Sequence, residues 1–229
     1  MELHNSVFWR SYINPPRSQP VSGCREVFET PLPLWGCQRN LFSSLLLKLI
    51  GSKYSNTMET EIDLMNQTKV TIEEIKKSQA ISQDYTNLKD LNRGHLNPRC
   101  HQYDNDSMKA TFTLTNIVPQ NEKLNGGEWN KYEVETMANM SKGCITTYVV
   151  VGAVPGNNFI SGNRVNVPSY IWAGACCEIS NQPSRAWAVI VKNDNVNVEN
   201  IKLGELEKKL TDLYGKGQVS LFHGDCPRQ

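Results

Sequence analysis

Positions 110 to 140 read ATFTLTNIVPQNEKLNGGEWNKYEVETMANM, and this stretch decides the predicted fold. Its first six residues alternate small or apolar side chains with hydroxyl side chains and are rich in β-branched residues. This pattern predicts a strand at 110–115 that places Asn116 at its end. The step Pro119-Gln120-Asn121 is expected to break that strand.

The second half of the stretch has a helical period. From 122 to about 140, apolar residues recur at helical intervals, which predicts one helix with Asn125 near its start and Glu133 near its middle. Two residues eight positions apart on a helix lie about 80° apart around it and about 12 Å apart along it. Asn125 and Glu133 can therefore face one pocket, but they cannot both touch one ion without an intervening water.

The flanking segments predict the rest of the fold. Thr71 followed by Glu74 is a capping box, which predicts a short helix within 68–80. Later segments predict three strands, an amphipathic helix stopped by Gly215, and a last short strand. These segments are 145–153, 169–179, 185–192, 203–213 and 218–222, with turn-like separators at 162–163 and 182–184. The order predicts an α+β domain with a mainly antiparallel sheet and flanking helices.

The amino-terminal part differs from the rest in its pattern. Residues 1–55 mix prolines, arginines and scattered aromatics without a strand or helix period, and we expect them to be an atypical, poorly ordered segment. The domain that follows is predicted to span 56–229.

Composition sets limits on the partners and on the compartment. The chain has 24 basic and 23 acidic residues, so any binding of nucleic acid must come from a local patch. The apolar run at 41–50 is shorter than the roughly twenty residues that span a bilayer, and the first thirty residues lack the apolar core of a secretion signal.

The cysteines favour an extracellular setting, although the chain shows no secretion signal. There are seven of them, an odd number that cannot all pair, and none has the CxxC spacing of a zinc site. Three Asn-x-Ser/Thr triplets, at 66, 105 and 139, point the same way. Cys176 and Cys177 are neighbours on a predicted strand, so their side chains should point to opposite faces.

A set of polar residues suits metal-assisted hydrolysis of a phosphodiester. His95 can act as general base, because imidazole titrates near neutral pH. Asn125 supplies a neutral oxygen for a hydrated Mg²⁺, and Arg93 offers a planar fork of donors for a phosphate. Glu133 can hold a water or orient the arginine. Each residue taken alone is more often an ordinary loop, cap or surface residue, and only their joint spacing favours the functional interpretation.

Four segments together carry a family resemblance: Asn92-Arg93-Gly94-His95, 116–120, 124–129 and Glu133. They resemble the DNA/RNA non-specific endonuclease family, the ββα-metal or His-Me-finger nucleases, and further segments look like its vertebrate endonuclease domain-containing 1 branch. The resemblance implies His95 as proton acceptor, Asn125 as ligand of Mg²⁺ or another divalent cation such as Mn²⁺, and Arg93 with Glu133 as phosphate and water partners.

The resemblance also implies supporting roles, a substrate and a compartment. Asn116 and Gln120 would support the site by holding in place the residues that touch the metal or the substrate. The substrate would be DNA or RNA, held through backbone phosphates that carry no base information, in an extracellular or secretory setting. Asn92 replaces the family's aspartate and removes a negative charge that would orient Arg93. The family normally begins with additional strands, so the resemblance also implies that the domain at 56–229 is incomplete at its amino-terminal end.

Two alternatives stay open at this point. A catalytically weak or inactive nuclease-like binding or structural module would keep the fold without the turnover, and Asn92 favours it. A zinc protein that uses His95, Cys100 and His101 ranks lower, because adjacent residues chelate one ion awkwardly.

Overall fold

The structure is a computed structural model that describes residues 8–13, 61–77, 79–102 and 104–229, the first of these ranges and Pro183 by their backbone alone. The strands are β1 (Phe8–Ile13), β2 (Leu91–His95), β3 (Ile117–Asn121), β4 (Thr146–Val154), β5 (Asn158–Ile160), β6 (Val165–Val167), β7 (Tyr170–Ile179), β8 (Gln182–Lys192) and β9 (Glu199–Ile201). The α-helices are α1 (Glu61–Thr68), α2 (Ile72–Lys76), α3 (Asn105–Ala110), α4 (Glu122–Gly126), α5 (Glu128–Lys131), α6 (Met137–Met140) and α7 (Leu203–Tyr214).

A five-stranded antiparallel sheet forms the centre of the molecule, in the order β1-β4-β7-β8-β9. Strand β7 lies in the middle and is apolar along most of its length because both of its faces are covered. Helix α7 packs on one face through its leucines, and the segments that follow β3 pack on the other through Trp129 and Tyr132. The predicted α+β class with a mainly antiparallel sheet is confirmed.

Two disulfides join β7 to the layers on its two sides. Cys177 bonds Cys144 on one face of the sheet, and Cys176 bonds Cys226 on the other. The prediction that these two neighbours point to opposite faces is confirmed, because successive strand side chains alternate.

A separate two-stranded antiparallel hairpin, β2–β3, is followed directly by helix α4, which packs on both strands. The Asn121 side chain ends β3 and begins α4, since its Oδ1 accepts a bond from the Leu124 backbone N–H at 3.1 Å. The two paired strands and the helix that follows them thus form a ββα unit.

The side chain of Asn193, just after β8, ties this unit to the central sheet. Its Nδ2 donates to the carbonyls of Pro119 and Pro168, both at 3.0 Å, and its Oδ1 accepts from the Asn121 N–H at 2.9 Å. The carbonyl of Pro119 therefore points away from β2, and its missing N–H would have pointed the same way. Proline is tolerated on such an outer strand edge, so the predicted break at 119–121 is wrong.

The predicted strand at 110–115 is also wrong. These residues follow helix α3, which Asp104 caps by accepting the Ser107 N–H at 2.8 Å, and a 3₁₀ turn spans Leu114–Asn116. The hydroxyls of Thr111 and Thr113 bond to carbonyls three residues earlier instead of alternating across a sheet.

The single helix predicted from 122 to 140 is interrupted. Gly127 leaves helical geometry with φ −110° and ψ −115°, and a π-helical turn spans Tyr132–Thr136. The angular relation expected between Asn125 and Glu133 therefore does not apply, because it assumed one regular helix.

Other predictions are confirmed at β4, β7, β8 and the turn at 162–163, and at two helix ends. The capping box of Thr71 and Glu74 begins α2, and Gly215, with φ +59°, ends α7. The turn before β8 lies at 180–181, so the separator predicted at 182–184 is instead the start of the strand.

The predicted last strand at 218–222 is wrong, because this segment pairs with no strand in the described ranges and follows α7 as irregular chain. We expected no regular structure in residues 1–55, yet β1 pairs with β4, with Phe8 opposite Gly152. Its aromatic and β-branched residues favour a strand once an edge is available. The other residues of 1–55 lie outside the described residues.

A buried ion pair holds the segment before β2. Asp84 lies in the 3₁₀ turn Ser82–Tyr85, and its carboxylate accepts bonds from Arg164 at 2.9 Å, Ser161 at 2.6 Å and the Ile81 N–H at 2.9 Å. Burial alone would raise the pKa of Asp84, but these bonds and the charge of Arg164 lower it below its usual value. The turn is thereby fixed to the small β5–β6 hairpin.

Candidate active site

His95 is the last residue of β2 and carries a neutral imidazole. Its Nε2 is buried and has no hydrogen-bond partner among the residues the structure describes. The ring lies edge-on to Phe112, with the two centroids 4.8 Å apart and the planes perpendicular. Burial lowers the pKa of His95, so the ring is uncharged at neutral pH and can accept a proton.

Asn116 holds the backbone that follows His95. Its side chain is fully buried, and its Nδ2 donates to the carbonyls of Asn97 at 2.8 Å and Thr111 at 2.7 Å. Its Oδ1 accepts the Asn97 N–H at 2.9 Å, and its own carbonyl accepts the Leu96 N–H at 3.0 Å. One carboxamide therefore fixes the exit of β2 to the segment that carries Phe112.

Gln120 lies in β3, and its side chain points to the face of the two strands opposite to His95. It stands opposite Asn92 in the β2–β3 register, is completely buried, and neither amide atom has a partner within the described ranges. A Cβ on Gly94 would overlap the Gln120 side chain, so only glycine leaves room for it at this position. Gly94 and Gln120 therefore pack directly against each other across β2 and β3.

Arg93 and His95 point to the same face of β2, because they are two residues apart on a strand. The guanidinium is exposed, donates to the Ser82 carbonyl at 3.1 Å, and lies over the Tyr85 ring at 5.4 Å from its centroid. Tyr85 is itself anchored through its hydroxyl to the Ile117 carbonyl at 3.1 Å. Arg93 is thus placed by β2 and the preceding turn, with donors left for an anion.

Glu133 is a half-buried residue of the π-helical turn. Burial raises the pKa of its carboxyl to about 8, while the Trp129 indole N–H opposes part of that rise. Its backbone carbonyl accepts a bond from His101 Nε2 at 2.8 Å. A carbonyl can only accept, so Nε2 of His101 carries the hydrogen.

Asn125 lies half-buried in α4, close to the end of that short helix. Its carboxamide makes no hydrogen bond to any residue in the described part of the chain. Because α4 packs on both β2 and β3, the unpartnered amide belongs to the same ββα unit as His95.

Arg93 and His95 lie on one face of β2, Asn92 lies in the same strand, and Gln120 lies in β3 on the opposite face. Asn116 ends the 3₁₀ turn that leads into β3. Asn125 follows in the helix packed on that hairpin, and Glu133 is joined to the segment after β2 through His101 rather than through a shared helix face.

Sequence reasoning did not assign a supporting role to His101, Phe112 or Asn193. His101 links the turn after β2 to the Glu133 turn, and burial lowers its pKa to about 4, against the opposing effect of the Glu133 carbonyl. These contacts join residues far apart in sequence, so no local pattern signals them.

The zinc alternative finds no support in the geometry. Within the described residues, no three His, Cys, Asp or Glu side chains are grouped so that they could hold a metal ion. His101 also uses Nε2 to bond Glu133. A hydrated Mg²⁺ on a single amide would not require such a group.

Comparisons with known proteins point to one family. The family model described as DNA/RNA non-specific endonuclease matches residues 67–223. The chain is 28% identical over 181 residues to the mouse endonuclease domain-containing 1 protein, covering 75% of this chain and 33% of that protein. It is 29% identical over 136 residues to the mitochondrial nuclease EXOG of Xenopus laevis, covering 53% of this chain and 37% of that protein.

The chain spans about a third of the length of these curated relatives. Among solved structures, the EndoG/EndoGI complex aligns with a TM-score of 0.49 and 19% identity, covering 56% of this chain and 60% of that chain.

Proposed function

Since the chain belongs to the DNA/RNA non-specific endonuclease family, we propose that it hydrolyses the phosphodiester bonds of DNA and RNA with little sequence preference. The domain responsible spans residues 56–229, which includes the whole family match. The partners are nucleic-acid strands held through their phosphates, which are common to every sequence.

One observation carries the proposal: at the end of β2, the neutral imidazole of His95 has a buried Nε2 that no described residue bonds. The helix that follows the two strands carries a carboxamide, Asn125, that also has no partner among the described residues. A structural histidine in a core usually satisfies both nitrogens, and a structural asparagine usually caps or bonds backbone. Among the described residues, neither His95 Nε2 nor the Asn125 carboxamide makes such a bond, which favours functional roles for both residues.

The donor set fits a divalent cation, with Mg²⁺ as the first choice. Asn125 offers a neutral oxygen in a half-buried position, and Mg²⁺ keeps most of its waters and needs few protein ligands. When bound, such a cation stabilises the negative charge that develops on the phosphate.

The chain's own residues carry the remaining steps. His95 takes a proton from the water whose oxygen forms the new bond to phosphorus. The donors of Arg93 bind a non-bridging phosphate oxygen, and Glu133 orients the water by hydrogen bonding. The phosphorus–oxygen bond to the leaving sugar breaks, and that oxygen takes a proton from solvent.

The second candidate is a nuclease-like binding module with weak or no activity. It is favoured by Asn92, which brings a neutral amide to the position where the family has aspartate. No carboxylate in β2 or β3 orients Arg93, which bonds the Ser82 carbonyl instead.

Plasmid nicking with Mg²⁺ or EDTA tests the proposal, with His95→Ala and Asn125→Ala as variants. General-base catalysis contributes about 10²- to 10⁴-fold, so His95→Ala should lose activity on that scale. His223→Ala, which alters an exposed histidine, is the matched control and should cleave like wild type. Unchanged cleavage by His95→Ala would remove the assigned base.

Asn92→Asp separates the two candidates. A rise in cleavage on restoring the carboxylate indicates an impaired enzyme, whereas absence of cleavage by both proteins indicates a binding module.

We propose further that the protein works in an oxidising compartment. Two disulfides join its layers, and such bonds persist in secreted proteins rather than in the cytosol. No helix in the described ranges is long and apolar enough to cross a bilayer. Thiol titration of the denatured protein, isolated from its native source, checks the prediction: the four cysteines of these bonds should be unreactive until reduced.

A further inference from the structure

Phe112 is an exposed aromatic ring in contact with the proposed general base. The residue is 52% exposed, and its ring centroid lies 4.8 Å from that of His95 with the two planes at 90°. With perpendicular planes, the imidazole can cover at most one face of the phenyl ring. About half of the residue's surface is therefore open to solvent or to a ligand.

The backbone that carries the ring is held firmly, although the ring itself is exposed. Both neighbours, Thr111 and Thr113, are buried, and their hydroxyls donate to the carbonyls of Met108 at 2.8 Å and Ala110 at 2.9 Å. The backbone N–H of Phe112 donates to the Lys109 carbonyl at 3.0 Å. The backbone at position 112 is therefore fixed before any ligand arrives, which lowers the entropic cost of binding against the ring.

A purely protective role does not explain this placement. A phenyl ring that served only to shield the imidazole would gain most by being buried itself, since burial removes its apolar surface from water. Half of the Phe112 surface instead faces outward beside the place where the scissile phosphate must lie for His95 to act.

We propose that Phe112 is a stacking platform for an unpaired nucleobase next to the scissile phosphate, and that it makes single-stranded nucleic acid the preferred substrate class. This inference rests on the proposed function, because the position of the phosphate follows from the role of His95. Aromatic side chains stack on any base, so the contact adds affinity without sequence preference.

The preference for single strands follows from the state of the bases. In a duplex both faces of a base are occupied by its neighbours, so extruding it requires breaking both stacking and pairing. An unpaired base presents a free face at much lower cost. Phe112 therefore favours single strands, loops and ends over intact duplex.

The test measures binding and cleavage by wild type, Phe112→Leu and Phe112→Trp. Phe112→Leu keeps an apolar side chain but removes stacking, and Phe112→Trp keeps stacking. Phe159→Leu is the matched control, since Phe159 is a 46% exposed ring in another hairpin. Binding is followed in EDTA by fluorescence anisotropy with a single-stranded oligonucleotide, the same sequence as duplex, and the same strand with abasic sites throughout.

Phe112→Leu should weaken binding of the single strand by roughly 5- to 150-fold, the change that corresponds to about 1–3 kcal/mol of stacking per base. Binding of the abasic strand should not change, and the ratio of single-strand to duplex affinity should fall. Phe112→Trp should retain the wild-type ratio, and Phe159→Leu should behave as wild type.

Two results overturn the inference: equal weakening for the base-containing and abasic strands, or no weakening for either. Binding of the base-containing strand and of the abasic strand is measured without cleavage, so both measurements test the inference even if the protein proves inactive. Failure of the proposed function is seen separately, as cleavage that His95→Ala leaves unchanged.

Discussion

Replacing Asn116 by alanine should destabilise the protein and misplace His95. The substitution removes three hydrogen bonds, to the N–H and carbonyl of Asn97 and to the carbonyl of Thr111. At about 1 kcal/mol net for each bond, the free energy of unfolding should fall by about 3 kcal/mol. Urea unfolding followed by tryptophan fluorescence measures it, and Asn139→Ala, which removes one exposed side-chain bond, is the control.

The aspartate variant gives a sharper test of the same geometry. In Asn116→Asp, an ionised carboxylate would face the two carbonyl oxygens that now accept from Nδ2. The folded state should therefore raise the pKa of this carboxyl above its unfolded value of about 3.9. The variant should be closest to wild type at pH 4 and should lose stability as the pH rises towards 8.

Two outcomes would refute this reasoning. One is a loss below about 1 kcal/mol for Asn116→Ala, which would mean that the three bonds do not hold the segment. The other is full cleavage activity of a folded Asn116→Ala at low temperature, which would mean that His95 does not depend on this anchor.

Three further predictions concern the site and its support. Because burial lowers the pKa of His95, the acid limb of kcat/KM should have its midpoint below 6.5, and a midpoint above 7 would contradict an uncharged buried base. Gly94→Ala should destabilise by about 1–3 kcal/mol, measured by urea unfolding, because the new methyl group overlaps the buried Gln120; wild-type stability would show that Gln120 moves aside. Arg164→Met should destabilise by about 3 kcal/mol at pH 7 by leaving the Asp84 carboxylate buried and unpaired. That difference should shrink below about pH 4, where the carboxyl takes up a proton, and a constant difference would contradict the pairing.

The sequence predicts those strands and helices whose residue pattern specifies them without help from tertiary contacts. Strands β4 and β7 are dense in β-branched and aromatic residues, and the leucines of α7 repeat with a helical period before Gly215. Strand β2 shows no such pattern, because Gly94 and Asn92 have low strand propensity and form a strand only by pairing with β3. The threonines at 111 and 113 mislead because their hydroxyls bond the local backbone instead of lining a sheet.

The candidate site is likewise only partly predictable from the sequence. The residue types and order from Arg93 to Glu133 can be read as a motif, and the structure places them on a ββα unit and the turns that follow it. The bond of His101 to the Glu133 carbonyl and the links of Asn193 to Pro119 join residues 32 and 74 positions apart. Such contacts depend on how layers pack, which no single stretch of sequence encodes.

Cys176 and Cys177 form their disulfides on opposite faces of the sheet, so the sheet should form before these disulfides do. In an unfolded chain the two thiols are one residue apart, and an oxidant has no geometric basis for choosing which of them meets Cys144 and which meets Cys226. Four cysteines can pair in three ways, and only an assembled sheet places each thiol on the side of its proper partner. Recombinant material should therefore be refolded with its thiols reduced and oxidised afterwards, since early oxidation would trap shuffled isomers.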